Sequence, residues 1–203
     1  ILTDVAREAN FTNEVGLGRT IRLLKNIAGL WLLQECRREW ERRGTAYDYA
    51  ALTALAEAAA PHLARLDVDD PAFAAPGDMP EKIAAQCRRT GQTVPGTPGE
   101  FARVILESLA ARYAEVIRIL QEITGKPFTR LHIVGGGSRN DLLNQLAADA
   151  TGLTVLAGPV EATALGNILT QAITTGQISG VAEARALLAS HVAPRTFTPR
   201  AKA

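Results

Sequence analysis

The stretch Leu131-His132-Ile133-Val134-Gly135-Gly136-Gly137-Ser138-Arg139-Asn140-Asp141-Leu142-Leu143 decides how this chain reads. A short apolar run ends in three glycines, and an amphipathic pattern follows directly. The spacing predicts a buried parallel strand, a tight turn and the N-terminus of a helix. Glycine admits positive φ and lets a ligand approach the main chain closely. A helix start adds unpaired N–H groups and a partial positive charge, which suit a phosphate. Ser138 followed by Asp141 fits a variant of the capping box. Spacing alone leaves two readings open, a nucleotide-binding turn and a glycine-rich turn with no ligand. Neither common fingerprint applies. The G-x-G-x-x-G pattern begun by Gly135 and Gly137 ends in Asn140, and no Gly-Lys-Ser/Thr follows.

Toward the C-terminus, residues 130–134, 140–151 and 154–157 read as strand, helix and strand. The turn Gly158-Pro159 then opens a third helix that ends near Gly176. This β-α-β-α alternation predicts a parallel sheet with covering helices. Ligands of such sheets gather beyond the carboxyl ends of the strands, where both glycine turns stand. Ala162, Ala164 and Gly166 keep the third helix slim, which fits ordinary internal packing or the close approach of another element. A final helix over 181–190 leads to a polar tail with Pro194 and Pro199, expected to fray.

Toward the N-terminus, Thr97-Pro98-Gly99-Glu100 supplies an N-cap, a proline at the first helical position and a Glu for a capping box. Phe101, Val104, Ile105, Leu109, Tyr113, Val116, Ile117, Leu120 and Ile123 mark one apolar face of about seven turns. Gly125 and Pro127 end it, and its job is core packing. Before it, residues 80–90 read as a helix, 67–80 as loop, and 47–60 as an alanine-rich helix broken at Pro61. The lone His62 does not suggest a metal. Residues 9–21, punctuated by Gly16 and Gly18, predict a hairpin. From Leu23 the pattern turns helical through Leu24, Ile27, Ala28, Trp31 and Leu32, with Asn26 and Gln34 near one face that reads as solvated. The charged run 36–43 reads as a solvated helix end stopped by Gly44. The whole is expected to be one domain with a helical insertion at about 47–92.

Composition narrows the partners. The chain has 203 residues, 47% hydrophobic and 21% charged, with a formal net charge of +1. Nothing in that balance argues for nucleic acid or a membrane surface, and neither is expected as a partner. Cys36 and Cys87 have no neighbouring Cys or His at metal spacing and read as reduced thiols of a cytoplasmic protein. No apolar run reaches the length of a membrane span. The start Ile-Leu-Thr-Asp carries neither an initiator Met nor a signal-peptide profile, so a piece of a longer chain is expected.

The motif from Leu131 to Gly137, followed by Asn140, Leu142-Leu143-Asn144-Gln145-Leu146 and Ala148-Asp149-Ala150, resembles the adenosine motif of the FGGY carbohydrate kinases. Ala157-Gly158-Pro159-Val160-Glu161-Ala162 with Leu165-Gly166-Asn167-Ile168 is similar to their second connecting motif. Asn10-Phe11-Thr12-Asn13-Glu14, Leu24-Lys25-Asn26-Ile27 and Gly29-Leu30-Trp31-Leu32-Leu33-Gln34 narrow the resemblance to the branch acting on L-rhamnulose. The resemblance runs along essentially the whole chain. It implies the C-terminal one of two ribonuclease-H-like (actin-like ATPase) domains, an α/β fold with a mixed sheet covered by helices. ATP would lie between the two domains, with Mg²⁺.

By the same resemblance Gln34 and Gly136 contact ATP, Gly135 and Gly137 shape the turn, and Asn140 belongs to the nucleotide set. Asn26 matches a position at the ligand cleft, facing sugar or nucleotide, and is assigned as a substrate residue. The sugar pocket, the catalytic aspartate and the metal carboxylates would lie in the other domain, so no catalytic or metal-binding residue is assigned here. A second phosphate loop would precede Ile1. The slim helix becomes a hinge surface toward the other domain. One departure is that relatives can pair a Cys at the position of Cys87 with one at the position of Val104, and here that pair cannot form. The alternatives are a kinase of another sugar, a non-catalytic nucleotide-binding module and a dinucleotide enzyme. The last is disfavoured because Ala157-Gly158-Pro159 stands where an acidic ribose ligand would be needed.

Overall fold

The computed structural model describes residues 1–200. They form two compact units, one spanning Ile1–Pro127 and the other beginning at Phe128.

In the first unit, helix α1 (Asp4–Glu8) is capped by the Thr3 side chain and leads into strands β1 (Thr12–Val15) and β2 (Ile21–Leu24). These pair antiparallel, Thr12 opposite Leu24 and Val15 opposite Ile21, as the predicted hairpin. The helix expected from Leu23 does not start there. Helix α2 runs over Trp31–Arg42, and residues 25–29 are irregular. Leu23, Leu24 and Ile27 fit both a helical and an extended pattern, and pairing with Asn13 and Thr12 decides between them. Leu23 and Ile27 then pack on a small core of Ala6, Phe11 and Val116. Asn26 and Gln34 therefore do not share a helix face.

Helix α3 (Tyr49–Ala58) starts at the Asp48 cap, and α4 (Met79–Arg89) at the Asp78 cap. Helix α5 (Pro98–Thr124) begins with the full capping box of Thr97 and Glu100 and ends at Gly125 in left-handed conformation. Leu32, Leu33, Leu52, Met79, Ile83, Ile105, Leu106 and Leu109 are fully buried and form the main core. The loop between α3 and α4 is strapped to this core by buried polar groups. The Leu66 N–H donates to Ser108 Oγ at 2.9 Å, and Gln86 exchanges hydrogen bonds with the Asp67 backbone.

The charged end of α2 is not simply solvated. Glu35 and Glu39 are buried, and Glu39 accepts from Arg42 and Arg43. Counting charges missed this because each acid has an arginine one turn on, which lets the carboxylate turn inward beside Trp40. Both cysteines are free, buried thiols, and burial pushes the Cys36 thiol up.

In the second unit, β3 (Arg130–Ile133) pairs parallel with β4 (Thr154–Ala157), and β4 pairs antiparallel with β5 (Arg195–Phe197). The sheet is mixed, in the order β3-β4-β5. Helix α6 (Asp141–Thr151) packs Leu142, Leu143, Ala147 and Ala148 toward Val155 and Ala157. Helices α7 (Ala162–Thr174) and α8 (Val181–His191) follow.

Three expectations change in this unit. The tail read as frayed is strand β5, because its backbone completes the ladder on β4. Strand β3 is half-exposed rather than buried, since it lies at the edge of the sheet while β4 takes the centre. The helix does not follow the glycines directly either. A 3₁₀ turn over Gly136–Arg139 intervenes.

Candidate functional site

The two glycine turns meet at the carboxyl ends of β3 and β4. The Gly158 N–H donates to the Ile133 carbonyl at 2.8 Å, and the Gly135 N–H to the Pro159 carbonyl at 3.1 Å. These bonds stitch the loops together where an open α/β sheet places its ligand. Gly135 has φ +76 and ψ −163, a conformation that side chains rarely adopt. A Cβ built on Gly135 or Gly136 would meet no heavy atom within 4 Å, and Gly136 is exposed. The backbone is thus open to a ligand. That is the structural requirement for the nucleotide reading.

The turn is also braced internally. The buried Ser138 directs both its N–H (3.1 Å) and its hydroxyl (2.7 Å) at the Gly135 carbonyl. The Asn140 N–H donates to the Gly137 carbonyl at 3.1 Å. Its side-chain oxygen accepts from the Leu143 N–H at 2.8 Å, which makes Asn140 the N-cap of α6. The capping box expected from Ser138 and Asp141 is absent. Asn140 lies directly before the first helical residue and its amide reaches the free N–H, whereas the Asp141 carboxylate turns to Arg195.

Asp141, Asp149 and Glu183 in this unit are engaged. Arg200 holds Asp149 at 2.6 Å. Burial raises its pKa, but the hydrogen bonds from the Arg200 side chain and backbone and from Gln145 outweigh this and leave it below the ordinary value. Glu161 stands before α7 and makes no side-chain cap. Among the described residues no group of three His, Cys, Asp or Glu is arranged to hold a metal ion.

In the first unit, Asn26 is exposed in the segment between β2 and α2. It lines an open cavity of about 740 Å³ with Lys25, Trp31, Asp69, Phe73 and Arg112. Asp69 braces this segment. One of its oxygens accepts from the Ala28 N–H at 2.9 Å, and the other from Arg112 at 2.8 Å. The Trp31 indole N–H donates to the Phe73 carbonyl at 3.1 Å. Gln34 sits half-buried in the first turn of α2. Sequence reasoning missed Asp69 and Arg112, which lie in a loop and on a long core helix with no local motif. It also missed Arg195, whose strand was taken for a tail. Its strand is only three residues long, too short for a legible alternation, so no local signal marked it.

Helix α7 buries no residue, Ile168 is 62% exposed, and a Cβ on Gly166 would enter open space. Its small residues therefore do not serve close packing within the second unit.

Comparison with known proteins sets this arrangement in a family. The model of the FGGY family of carbohydrate kinases, C-terminal domain, matches residues 3–175. The rhamnulokinase of Bacteroides thetaiotaomicron is 44% identical over 200 residues, 98% of this chain and 40% of the relative. That of Enterococcus faecalis is 48% identical over 189 residues, 91% of this chain and 38% of the relative. The chain thus spans about two fifths of the length of the curated relatives it matches. The crystal structure of xylulose kinase from Rhodospirillum rubrum superposes with a TM-score of 0.54 at 22% identity. It covers 84% of this chain and 33% of that one, and the likeness is one of fold. By family model and by relatives alike, the chain belongs to the FGGY family of carbohydrate kinases, as its C-terminal domain.

Proposed function

We propose that this chain is the nucleotide-binding lobe of a kinase that transfers the γ-phosphoryl group of MgATP to L-rhamnulose, giving L-rhamnulose 1-phosphate and ADP. The observation that carries the reading is the 44% identity to a rhamnulokinase across 98% of the chain. In this reading both units form one C-terminal domain, with residues 47–92 as a helical insertion. The protein works in the cytoplasm, where ATP is at hand. No helix among the described residues is long and apolar enough to cross a membrane.

Phosphoryl transfer depends chiefly on placing the γ-phosphate in line with the accepting hydroxyl and on neutralising charge. The exposed backbone of Gly136 receives the nucleotide, with Gly135 and Gly137 giving the turn its shape and Asn140 starting the helix behind it. Gln34 borders the nucleotide, and Asn26 with its cavity faces the sugar. Mg²⁺ neutralises phosphate charge when bound. Asp141 and Asp149, each held by an arginine, do not suit it, so its ligands would be the phosphates and carboxylates outside this chain. The base and the main sugar contacts also lie outside it.

The test is a coupled ADP assay on the full-length protein with MgATP and a panel of ketoses. The highest kcat/KM is expected for L-rhamnulose. A higher value for another ketose would overturn the substrate, and no turnover with any sugar would overturn the kinase reading.

A further inference from the structure

We propose that Asn144 and Arg195 are positioning residues that hold the glycine turn in the shape in which its backbone meets the nucleotide, an inference that rests on the function proposed above. Their common target is the Ser138 carbonyl. It accepts from Asn144 Nδ2 at 2.9 Å and from Arg195 Nη2 at 2.6 Å, so both of its lone pairs are used. Ser138 in turn holds the Gly135 carbonyl through its hydroxyl and its N–H. Restraint therefore passes from α6 and β5 through Ser138 to the residue whose positive φ sets the turn.

Asn144 is fully buried on a helix face otherwise built from Leu142, Leu143, Ala147 and Ala148. Its amide orientation is decided by the carbonyl, since only Nδ2 can donate to it. That leaves Oδ1 buried without a partner. An unpaired buried acceptor lowers stability, and an apolar side chain would remove the penalty. Stability therefore does not explain an asparagine here, whereas holding Ser138 does.

Arg195 links three parts of the site. Its second guanidinium nitrogen pairs with Asp141, the first residue of α6. Its backbone stands opposite Ala157 in the β4–β5 ladder, one residue before Gly158. The fork thus ties the glycine turn, the start of α6 and the Gly158 loop together. A turn ordered in advance spares the nucleotide the cost of ordering it.

The test measures ADP affinity and steady-state kinetics of the full-length protein. Arg195 is half-exposed, so Arg195→Gln should fold normally. It should weaken ADP and raise KM for ATP about tenfold, the effect of losing a charge-assisted bond. KM for the sugar should stay unchanged. Arg195→Lys should recover part of the loss, because an ammonium keeps the charge but not the planar fork. Asn144→Leu should weaken ADP while Tm stays equal or rises, a split that a purely structural role does not produce. If that variant fails to fold, Arg195→Gln alone decides. Unchanged ADP affinity in Arg195→Gln, with the wild type binding ADP, would overturn the clamp and leave the kinase reading standing. A wild type that binds no nucleotide would overturn both.

Discussion

Gly136 separates backbone approach from stability. Its φ is not positive, and a Cβ there meets no heavy atom within 4 Å. Gly136→Val should therefore fold with a change in stability under about 0.5 kcal/mol, as exposed substitutions usually do. The side chain fills the space a ligand would use, so ADP titration of the full-length protein should show clear weakening. A folded variant with wild-type affinity would take this turn out of the site. Gly135, with φ +76, would confuse strain with blockage. Glu39 allows a different test. The Arg42 side chain holds its carboxyl down, with Arg43 assisting against the effect of burial, from an ordinary value of 4.5 to about 2. A depressed carboxyl contributes stability above its unfolded pKa, and the contribution is lost as pH falls through the folded value. Tm should therefore decline between about pH 4.5 and 2, and Glu39→Gln should flatten that decline. Parallel curves for the two proteins would exclude Glu39 as the source.

Among the elements, α5 and α3 pack most closely at Gly99. A Cβ there would stand 2.6 Å from the Leu55 carbonyl oxygen and 3.0 Å from its carbon. Helix propensity favours Gly99→Ala by up to about 1 kcal/mol. Overpacking costs about 1–3 kcal/mol, and the nearest atoms are backbone, which cannot swing aside. The second effect wins, and Tm should fall. A rise in Tm on thermal melting would mean that α3 yields. Helix α5 itself was legible from its capping box, apolar stripe and terminal glycine, because each of these signals is local. The start of α2 was not, because hairpin pairing across Thr12 and Leu24 overrode a helical pattern. Strand β5 was hidden for the same reason. Its partner β4 lies some forty residues earlier, and nothing in Arg195-Thr196-Phe197 names it.

For the molecule as a whole, the chain on its own should show no sugar kinase activity. Transition-state stabilisation needs a base, metal-binding carboxylates and phosphate contacts around one γ-phosphate. Asp141 and Asp149 are held by Arg195 and Arg200, and the chain spans 40% of a relative that carries the activity in its name. Incubation with L-rhamnulose, MgATP and a coupled ADP assay should give no signal above the blank. Turnover of about 1–100 s⁻¹, the usual range for kinases, would place the catalytic groups in this chain.

The sequence by itself determined the elements whose causes are local. These are the capped core helix, the strand–glycine–helix passage, the hairpin and the α/β alternation. The resemblance to family motifs added the expectation of a nucleotide set at residues 34, 135–137 and 140 and of a substrate position at Asn26, and the Gly136→Val titration tests the turn among them. Only the tertiary structure decided that β3 is an edge, that residues 195–197 supply the antiparallel strand of the mixed sheet implied by the resemblance, and that Asn140 rather than Ser138 caps α6. It alone joined Ser138, Asn144 and Arg195, residues up to 57 apart in the chain. Strand pairing and side-chain clamps depend on partners distant in sequence, and no periodicity or spacing encodes them.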